Sequence, residues 1–513
     1  MSSHRANDEN KTRKALAKGA GVNLIGIAAK SLQPLLFILM TRLYGPTVFG
    51  VYILAYTLME MAVSLLISGF QDGVLLFASR HVHEKSEHDI MYRSMANALI
   101  VVFILTAVLW TFVFTAGTPV LDMFFDRAGL PEAINVMVLA LPFIALPQLV
   151  AAATKSLMIM KYDVFLISFL RPALILVIAT VVYLLSSTPT VTGLAVAYLA
   201  GNFLVAVVSL PIFGRHFSFS ELFKSIRKPR FHKELMGFAI PQNLNLTLVR
   251  FLNGISILFL GASGISSAKI AFFGTASELF HNLRQIRLVF STAFSPVIAR
   301  LFKERKIEEL EFHYADLTRW IVSITVPLSL VMVAFRSHLI MLFHESYFHY
   351  ESAFMILFAF KAFLGCAFGL AGNTIVMTGH SKWNLFISMG AAAISVVLNM
   401  VLIPIWGLTG AALAATLTTV AYVGTSLVLT NFFLNIRLKI DRVYKPFLAG
   451  LGGSVAYAAI AFIPADSRAL HATGLALGGT AVFVILTFAL GLHERDKEMF
   501  SGFKRRLARR TNN

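Results

Sequence analysis

Cysteine and charge are both scarce in this sequence. Cysteine occurs once, at Cys366, so no disulfide can form within the chain, and we interpret this residue as a small apolar side chain inside a membrane span. Only 14% of the 513 residues are charged, and the 26 acidic residues are far fewer than the 44 Lys and Arg residues. Soluble globular chains carry about 25% charged residues, so this composition excludes a large water-soluble protein.

The sequence patterns of several enzyme classes are also absent. The chain contains no GxxxxGK[ST] phosphate loop, no HExxH motif and no Cys/His cluster with zinc spacing. No segment between the apolar runs reaches the length of about 50 residues that a soluble domain needs. We therefore expect a protein that is not an enzyme, that needs no cofactor or metal and that does not itself hydrolyse ATP.

Long apolar runs dominate the chain instead. Hydrophobic residues make up 57% of it, including 45 phenylalanines, and the mean hydropathy is +0.75. Runs of about 20 apolar residues predict transmembrane helices, which gives an all-α polytopic membrane protein with about 14 spans. The first run begins near residue 19 after a charged leader without a small-residue cleavage site, so it is expected to be a retained signal-anchor helix.

Positive charge is distributed unequally between the two sides of these spans. Most of the 44 Lys and Arg residues fall in cytoplasmic segments if the N-terminus is placed inside. Cationic loops resist translocation, so both termini are predicted to be cytoplasmic. We assign the basic clusters, and with them the net charge of +18, to topology and to attraction to anionic membrane lipids, and we expect no nucleic acid partner.

Short similarities recur about 220 residues apart, which indicates a duplicated membrane unit. The segment "KYDVFLIS" resembles "KWNLFIS", "TGLAVA" resembles "TGAALA", and Glu60 has a counterpart in Glu278. Six spans per unit would place both units the same way up, with substrate between them. The predicted organisation is a cytoplasmic segment (1–18), an N-lobe (19–213), a basic cytoplasmic linker (214–235), a C-lobe (236–432), two further spans (445–492) and a basic cytoplasmic tail (493–513).

Six basic residues fall inside predicted spans, namely Lys30, Arg171, Arg250, Arg284, Arg287 and Lys361. On insertion scales, a charge at the centre of a membrane helix costs roughly 2.5 to 3.5 kcal/mol, so these side chains should face water or a partner. Arg171 lies near the cytoplasmic end of its span, and its side chain is expected to snorkel to the surface there. The other five cations lie deeper.

Polar stripes accompany these deep cations. At about 100° per residue, Glu278, His281, Arg284 and Gln285 share one arc of a helix, with Arg287 at its edge. Similar stripes follow the seventh and first spans. The supporting polar residues that we select are Asn23, Gln33, Asn243, Asn253, His281 and Gln285.

Two interpretations of the deep charges are open. Glu60 and Glu278 can form internal salt bridges that lock the bundle. Two carboxylates nevertheless leave about three of the five cations uncompensated, which favours an anionic ligand, and Arg and Lys both suit phosphate. The predicted diphosphate-binding residues are Lys30, Arg250, Arg284, Arg287 and Lys361. Glu60 and Glu278 are candidates for proton or sodium coupling.

Three segments of the chain resemble a known family. They are "RLYGPTVFGVYILAYTLMEMAVSLLISGFQDGVLLFASR", "FSPVIARLFKERKIEELEFHYADLTRWIVSITVPLSL" and "LNMVLIPIWGLTGAALAATL". They are similar to segments of polysaccharide transporters in the multidrug/oligosaccharidyl-lipid/polysaccharide exporter superfamily, over residues 15–432. Where that family's pattern has an acidic residue in the seventh span, this chain has Asn253.

The resemblance implies a flippase of the bacterial inner membrane that works by alternating access. Its substrate would be a polyprenyl-diphosphate-linked oligosaccharide, as in O-antigen (lipopolysaccharide) or exopolysaccharide assembly. A glycan polymerase and a chain-length regulator are then candidate partners.

Three alternative functions are weighed against this one. A flippase for the lipid-linked peptidoglycan precursor would bind the same diphosphate. A cation-coupled multidrug exporter would need an acidic lumen for cationic drugs, and the excess of basic residues argues against it. A membrane glycan polymerase or ligase would need catalytic groups at the external surface, where we interpret Asp122, Asp126, His338 and Glu345 as solvated loop residues.

Overall fold

The computed structural model describes residues 32–81, 88–157, 159–186, 188–229, 233–350, 352–462 and 468–490, and these residues form helices and no β-strand. The helices before the basic linker ends are α1 (Leu32–His81), α2 (His88–Phe112), α3 (Thr118–Phe125), α4 (Leu130–Met137), α5 (Leu141–Ser156), α6 (Lys161–Asp163), α7 (Arg171–Leu185), α8 (Val191–His216) and α9 (Phe219–Arg227). Short π-helical segments at Val113–Gly117 and Val164–Leu170 continue α2 and precede α7. The predicted all-α class is confirmed.

The second half of the chain continues in the same way. Its helices are α10 (Lys233–Ala262), α11 (Ser267–His281), α12 (Arg284–Lys303), α13 (Ile307–Ala334), α14 (Arg336–Met341), α15 (Phe354–Ala367), α16 (Leu370–Met377), α17 (Ser381–Phe432), α18 (Ile440–Ala461) and α19 (Arg468–Ala489). The division of these helices into two lobes stays a prediction.

The two longest helices are each interrupted at one glycine. Gly45 in α1 has φ 81° and ψ 158°, and Gly407 in α17 has φ 53° and ψ −124°. Such positive φ values are strained for residues with a Cβ, and Pro46 directly after Gly45 reinforces the first break. Each of these helices therefore contains two of the predicted spans, joined at a tight turn.

Ten helical stretches within the described residues are long and apolar enough to cross a membrane, so the chain is a multi-pass membrane protein. Two of them, Leu32–Ala78 and Lys382–Phe432, contain the breaks just described. The predicted spans near residues 267 and 445 are not among the ten. The first is divided between α11 and α12, and the start of the second carries Asp441, Arg442 and Lys445. The number 14 is not confirmed.

Helix α1 packs closely and in antiparallel orientation against α10 and the start of α11. A Cβ on Gly50 would overlap the backbone of Ser267, and a Cβ on Gly69 would overlap the carbonyl of Ala239. As the residue number increases along α1, the number of the residue in contact decreases, so the two segments run antiparallel. This seam of glycines lets the backbones of the two halves approach, which places α1 and α10 in the middle of the molecule.

The antiparallel seam also defines two ends of the bundle. We call the end that contains the turns at Gly45 and Gly264 the turn end; Gly264 has φ +71° and lies between α10 and α11. We call the opposite end, where α9 lies and α10 begins, the basic end.

Two arginines from the first half of the chain bind backbone carbonyls of the second half at the turn end. Arg127 donates from Nη2 to the carbonyls of Gly261, at 3.2 Å, and Ile265, at 2.5 Å. Arg42 donates from Nε to the carbonyl of Leu342 at 2.7 Å. Carbonyls after the last turn of a helix carry partial negative charge, so the arginines suit these positions. The two halves are therefore joined across the turn end.

Candidate functional site

A cavity with about 990 Å³ of empty volume lies among α10, α11, α12, α15 and α17. Its charged lining consists of Arg284, Arg287 and Lys361, and we call it the cationic cavity. The other polar lining residues are Asn253, Ser277, His281, Thr418, Thr419 and Tyr422. Three of the five predicted diphosphate-binding residues thus share one cavity, and their role in binding stays a prediction.

A break in the helix brings the two arginines into this cavity. The predicted polar arc assumed one continuous helix through Arg287, and this is wrong, because α11 ends at His281 and α12 begins at Arg284. At the junction, the amide of Gln285 bonds the carbonyl of Asn282 at 3.0 Å, a tight i to i−3 contact. Arg284 and Arg287 therefore lie in the first turn of α12, at the positive end of the helix dipole.

Arg284 is held by polar neighbours that do not neutralise it. Its Nη1 donates to Oδ1 of Asn253 on α10 at 3.0 Å and lies 3.4 Å from Nδ1 of His281. Both neighbours restrict the guanidinium without offering a negative charge. Asn253 thus orients the arginine without neutralising it.

Arg287 lies against the backbone between α15 and α16. Its Nη1 donates to the carbonyl of Gly369 at 2.7 Å, and its Nε is buried without a hydrogen-bond partner among the described residues. The approach is possible because residue 369 lacks a side chain: a Cβ there would lie 2.9 Å from Cζ of Arg287. One face of the guanidinium is fixed, and the buried Nε remains an unused donor.

Among the described residues, no carboxylate lines the cationic cavity. Within the described residues, no Asp or Glu oxygen lies within 4.0 Å of the charged nitrogens of Arg284, Arg287 or Lys361, and no hydrogen bond involves Lys361. Three positive charges at membrane depth are unfavourable without an anion. The cavity therefore has the charge and donor set for a phosphate-bearing ligand.

A second polar cavity, with about 550 Å³ of empty volume, lies between α1, α5, α7 and α10. We call it the Glu60 pocket. Its polar lining residues are Glu60, Ser64, Ser68, Gln71, Gln148, Arg171 and Arg250. Glu60 pairs with two arginines there, at 3.2 Å from Nη2 of Arg171 and 3.6 Å from Nη1 of Arg250. In contrast to the cationic cavity, this pocket contains an acid between its cations.

The expectation that Arg171 snorkels to the surface is wrong. Its side chain is only 15% exposed and bonds Glu60, and Nη2 also donates to the hydroxyl of Tyr198 at 3.2 Å. The guanidinium also lies over the Tyr198 ring, with Cζ 5.7 Å from the ring centroid. A nearby carboxylate and an aromatic ring satisfy the charge more completely than an extended route to the headgroups would.

Arg250 and Glu278 do not line the cationic cavity. Arg250 lines the Glu60 pocket, and its side chain is 55% exposed. Glu278 is half-buried and interacts electrostatically with Arg250 and Arg284, but among the described residues it has no salt bridge within 4.0 Å. The two carboxylates predicted for ion coupling therefore differ: Glu60 forms salt bridges, and Glu278 forms none among the described residues.

The remaining predicted polar residues have separate positions. Asn243 is buried and joins α10 to α1: it donates to the carbonyl of Leu65 and accepts from the amide of Gly69 at 2.8 Å. Gln33 donates to the hydroxyl of Tyr56 at 3.3 Å. The Oε1 atom of Gln285 is buried without a hydrogen-bond partner in the described part of the chain. Asn23 and Lys30 lie outside the described residues.

Several lining residues were not selected from the sequence. They include Gln71 and Gln148 in the Glu60 pocket, and Thr418 and Tyr422 in the cationic cavity. Isolated polar side chains in apolar runs, such as Gln148 directly after Pro147, are the signal that could have identified them. The prediction selected the charged residues and the polar residues in the same helical stripes, and these four residues lie outside those stripes.

Solved transporter structures have a similar fold. The lipid II flippase MurJ in an inward closed conformation matches with a TM-score of 0.65 and 12% identity, over 91% of this chain and 98% of that chain. A multidrug resistance MATE family transporter of the MOP superfamily, in an inward-facing conformation, matches with a TM-score of 0.64 and 14% identity, over 81% and 98%. The MATE multidrug transporter DinF-BH has a TM-score of 0.62 and 18% identity, over 82% and 96%.

No curated protein matches the chain in sequence. The family model described as "Polysaccharide biosynthesis protein" matches residues 16–302, which is more than half of the 513 residues. This match shows that the chain belongs to the polysaccharide biosynthesis protein family, and its helical fold is similar to those of the MATE transporters and MurJ.

Proposed function

We propose that this protein is a flippase that moves polyprenyl-diphosphate-linked oligosaccharide across the bacterial inner membrane by alternating access. The observation that carries the proposal is the cationic cavity, in which Arg284, Arg287 and Lys361 share a space that no described carboxylate lines. Arginine binds phosphate oxygens through its planar fork, and lysine acts as a point charge. The family match supports glycan assembly as the pathway.

The turn end and the basic end suggest how the cycle begins. With the N-terminus in the cytoplasm, the turn end faces outward, and the contacts of Arg127 and Arg42 close that side. The cavity would then load its substrate from the cytoplasm. The polyprenyl tail would stay in the bilayer while the head group crosses, and rocking of the two halves would expose the cavity to the outside.

The membrane potential would favour this direction of transport. Moving a negative charge outward against an inside-negative potential is favourable by about 2.3 kcal/mol per charge per 100 mV, and a diphosphate carries at least two such charges. Coupling to a proton or sodium gradient is a further part of the proposal. Glu278 is the better candidate for it than Glu60, because both arginines of the Glu60 pocket already bind Glu60.

The test is complementation of a strain that lacks the gene and has lost its surface glycan. The triple variant Arg284→Gln/Arg287→Gln/Lys361→Gln is expected to abolish glycan export while the folded protein remains in the membrane fraction. Arg300→Gln is the matched control, because Arg300 lies in the same helix α12 but is exposed at its last turn. Wild-type export by a folded triple variant would refute the cavity assignment.

The lipid-linked peptidoglycan precursor is a second candidate substrate, since it presents the same diphosphate to the cationic cavity. Depletion of the protein separates the two. Loss of a surface glycan with continued growth supports the oligosaccharide, and lysis of growing cells supports the peptidoglycan precursor. A multidrug exporter is disfavoured, because the three cations of the lining would repel a cationic drug.

A further inference from the structure

Helix α10 lies between the two polar cavities and contributes to both. Val249 and Asn253 line the cationic cavity, and Arg250, the residue after Val249, lines the Glu60 pocket. Adjacent residues of a helix point in directions about 100° apart, so one helix can serve two neighbouring spaces. Because both cavities border α10, a ligand whose phosphates occupy the cationic cavity can place its next chemical group in the Glu60 pocket.

Both arginines of the Glu60 pocket are paired with its one carboxylate. Arg171 is fixed by Glu60 and by the hydroxyl and ring of Tyr198. Arg250 pairs with Glu60 and also interacts electrostatically with Glu278. The described lining of the pocket thus has one carboxylate between two cations, whereas the described lining of the cationic cavity has three cations and no carboxylate. Both arginines are already paired, so the pocket offers oriented donors and acceptors more than free charge.

The pocket also contains polar groups that the protein itself does not use. Within the described residues, the side-chain amides of Gln71 and Gln148 make no hydrogen bond, although both residues line the pocket and are half-buried. Each amide offers two N–H donors and an acceptor oxygen. Ser64 and Ser68 add two hydroxyls, which hydrogen-bond each other at 3.2 Å. Polar groups at membrane depth without a partner point to a ligand or to water.

We propose that the Glu60 pocket is a sugar subsite, which binds the hydroxyl-rich sugar residue next to the diphosphate. This inference rests on the proposed function and names the part of the substrate that this second cavity recognises. Sugar hydroxyls are both donors and acceptors, so they match a set of carboxylate, guanidinium, amide and hydroxyl groups.

Two other ligands fit this pocket less well. A second phosphate would be repelled by Glu60, which already occupies both arginines at 3.2 Å and 3.6 Å. A coupling cation would be repelled by Arg171 and Arg250. An uncharged group with hydroxyls is repelled neither by Glu60 nor by the arginines, and it can hydrogen-bond the amides of Gln71 and Gln148.

The experiment measures dissociation constants of the purified full-length protein for four lipids. They are undecaprenyl diphosphate and the same lipid carrying one glucose, one galactose or one N-acetylglucosamine. The wild type is expected to bind at least one glycosylated lipid about tenfold more tightly than undecaprenyl diphosphate, as two or more added hydrogen bonds would give. The variant Gln71→Ala/Gln148→Ala should bind all four lipids alike, and its affinity for undecaprenyl diphosphate should be unchanged.

The control and the fallback variant use the same residue type. Gln242→Ala should keep the wild-type preference, because Gln242 on α10 bonds Asp72 at 3.0 Å and lines neither cavity. If the double variant does not fold, Gln148→Met conserves the volume and removes the amide, and it should lower the preference.

Each outcome has one meaning. A wild type without preference among the four lipids, or a Gln71→Ala/Gln148→Ala or Gln148→Met variant with an unchanged preference, would overturn the sugar subsite. Unchanged binding of undecaprenyl diphosphate by Arg284→Gln/Arg287→Gln/Lys361→Gln would instead overturn the proposed function.

Discussion

Arg284 on α12 and Asn253 on α10 are joined by a hydrogen bond of 3.0 Å from Nη1 to Oδ1. The bond orients the guanidinium towards the cationic cavity and leaves its charge intact. An aspartate at residue 253 would make the same contact and cancel that charge. The uncharged residue therefore preserves the excess of positive charge on which the proposed function depends.

A negative charge at residue 253 is predicted to weaken ligand binding more than loss of the hydrogen bond to Arg284 does. Asn253→Asp should weaken undecaprenyl diphosphate binding by at least about tenfold, because a carboxylate beside Arg284 competes with the ligand for it. Asn253→Ala removes only the hydrogen bond and should have a smaller effect. Dissociation constants of the two purified variants provide the measurement. Equal weakening by both substitutions would contradict an electrostatic role.

Gly369 is predicted to be required for the position of Arg287. Gly369→Ala should reduce flipping about as much as Arg287→Gln, because the new Cβ would overlap the guanidinium and the Gly365 carbonyl. Gly424→Ala is the matched control, since a Cβ there meets no atom within 4 Å and the residue does not line the cationic cavity.

The effect of Gly369→Ala should also disappear when Arg287 is absent. If the alanine acts by displacing Arg287, it causes no further loss in an Arg287→Gln background, which double-mutant analysis of flipping rates in proteoliposomes can measure. An additive loss would show that the alanine disturbs the helix junction for another reason.

The Glu60–Arg171 ion pair should contribute measurably to stability. Both side chains are largely buried, at 16% and 15% exposure, so removing one partner leaves a charge of the other without compensation. Glu60→Gln or Arg171→Gln should cost about 3 to 5 kcal/mol of unfolding free energy, and the double variant should cost less than the sum. Thermal unfolding in detergent is the measurement.

A surface ion pair provides the comparison. Lys224 and Glu221 lie 2.8 Å apart but are 68% and 51% exposed, so Lys224→Gln should change the melting temperature little. Additive costs for Glu60→Gln and Arg171→Gln would argue against a direct pair.

The contact of Arg127 with the carbonyls of Gly261 and Ile265 is predicted to keep the turn end closed. Arg127→Gln should therefore increase the population that is open at that end. A reporter cysteine at residue 57 suits the measurement, because Thr57 is 8% exposed and packs against Gly254 in the seam. In a Cys366→Ala background, alkylation of Thr57→Cys by an impermeant maleimide should become faster.

The control for this experiment is Arg215→Gln, an exposed arginine in the last turn of α8. It should leave the alkylation rate unchanged. An equal rate with and without Arg127 would show that the contact does not hold the closed state.

Glu278 is predicted to carry any coupling to an ion gradient. Glu278→Gln should remove the dependence of flipping on a proton or sodium gradient and keep the dependence on membrane potential, because the diphosphate still carries its charge. Flipping in proteoliposomes with separately imposed gradients measures both. Glu132→Gln, at an exposed residue of α4, is the control. Unchanged gradient dependence in Glu278→Gln would exclude this carboxyl group.

The sequence by itself determined that this is a helical membrane protein with cations at membrane depth. Hydropathy is summed over neighbouring residues, so a sequence window of the length of one span is enough to recognise a transmembrane helix. The cost of inserting Arg284, Arg287 or Lys361 is a property of each side chain, so the sequence alone singled out these residues, and in the structure they line one cavity. The residues of the charged lining were therefore accessible without a structure.

Only the tertiary structure decided which cations are neutralised. Arg171 and Arg250 share Glu60 because α7 and α10 both pack on α1, whereas Arg284, Arg287 and Lys361 share no carboxylate among the described residues. The helix break after His281 likewise depends on packing at a junction that no glycine or proline marks. An ion pair joins residues that are far apart in the sequence, so the local pattern of one span cannot predict it.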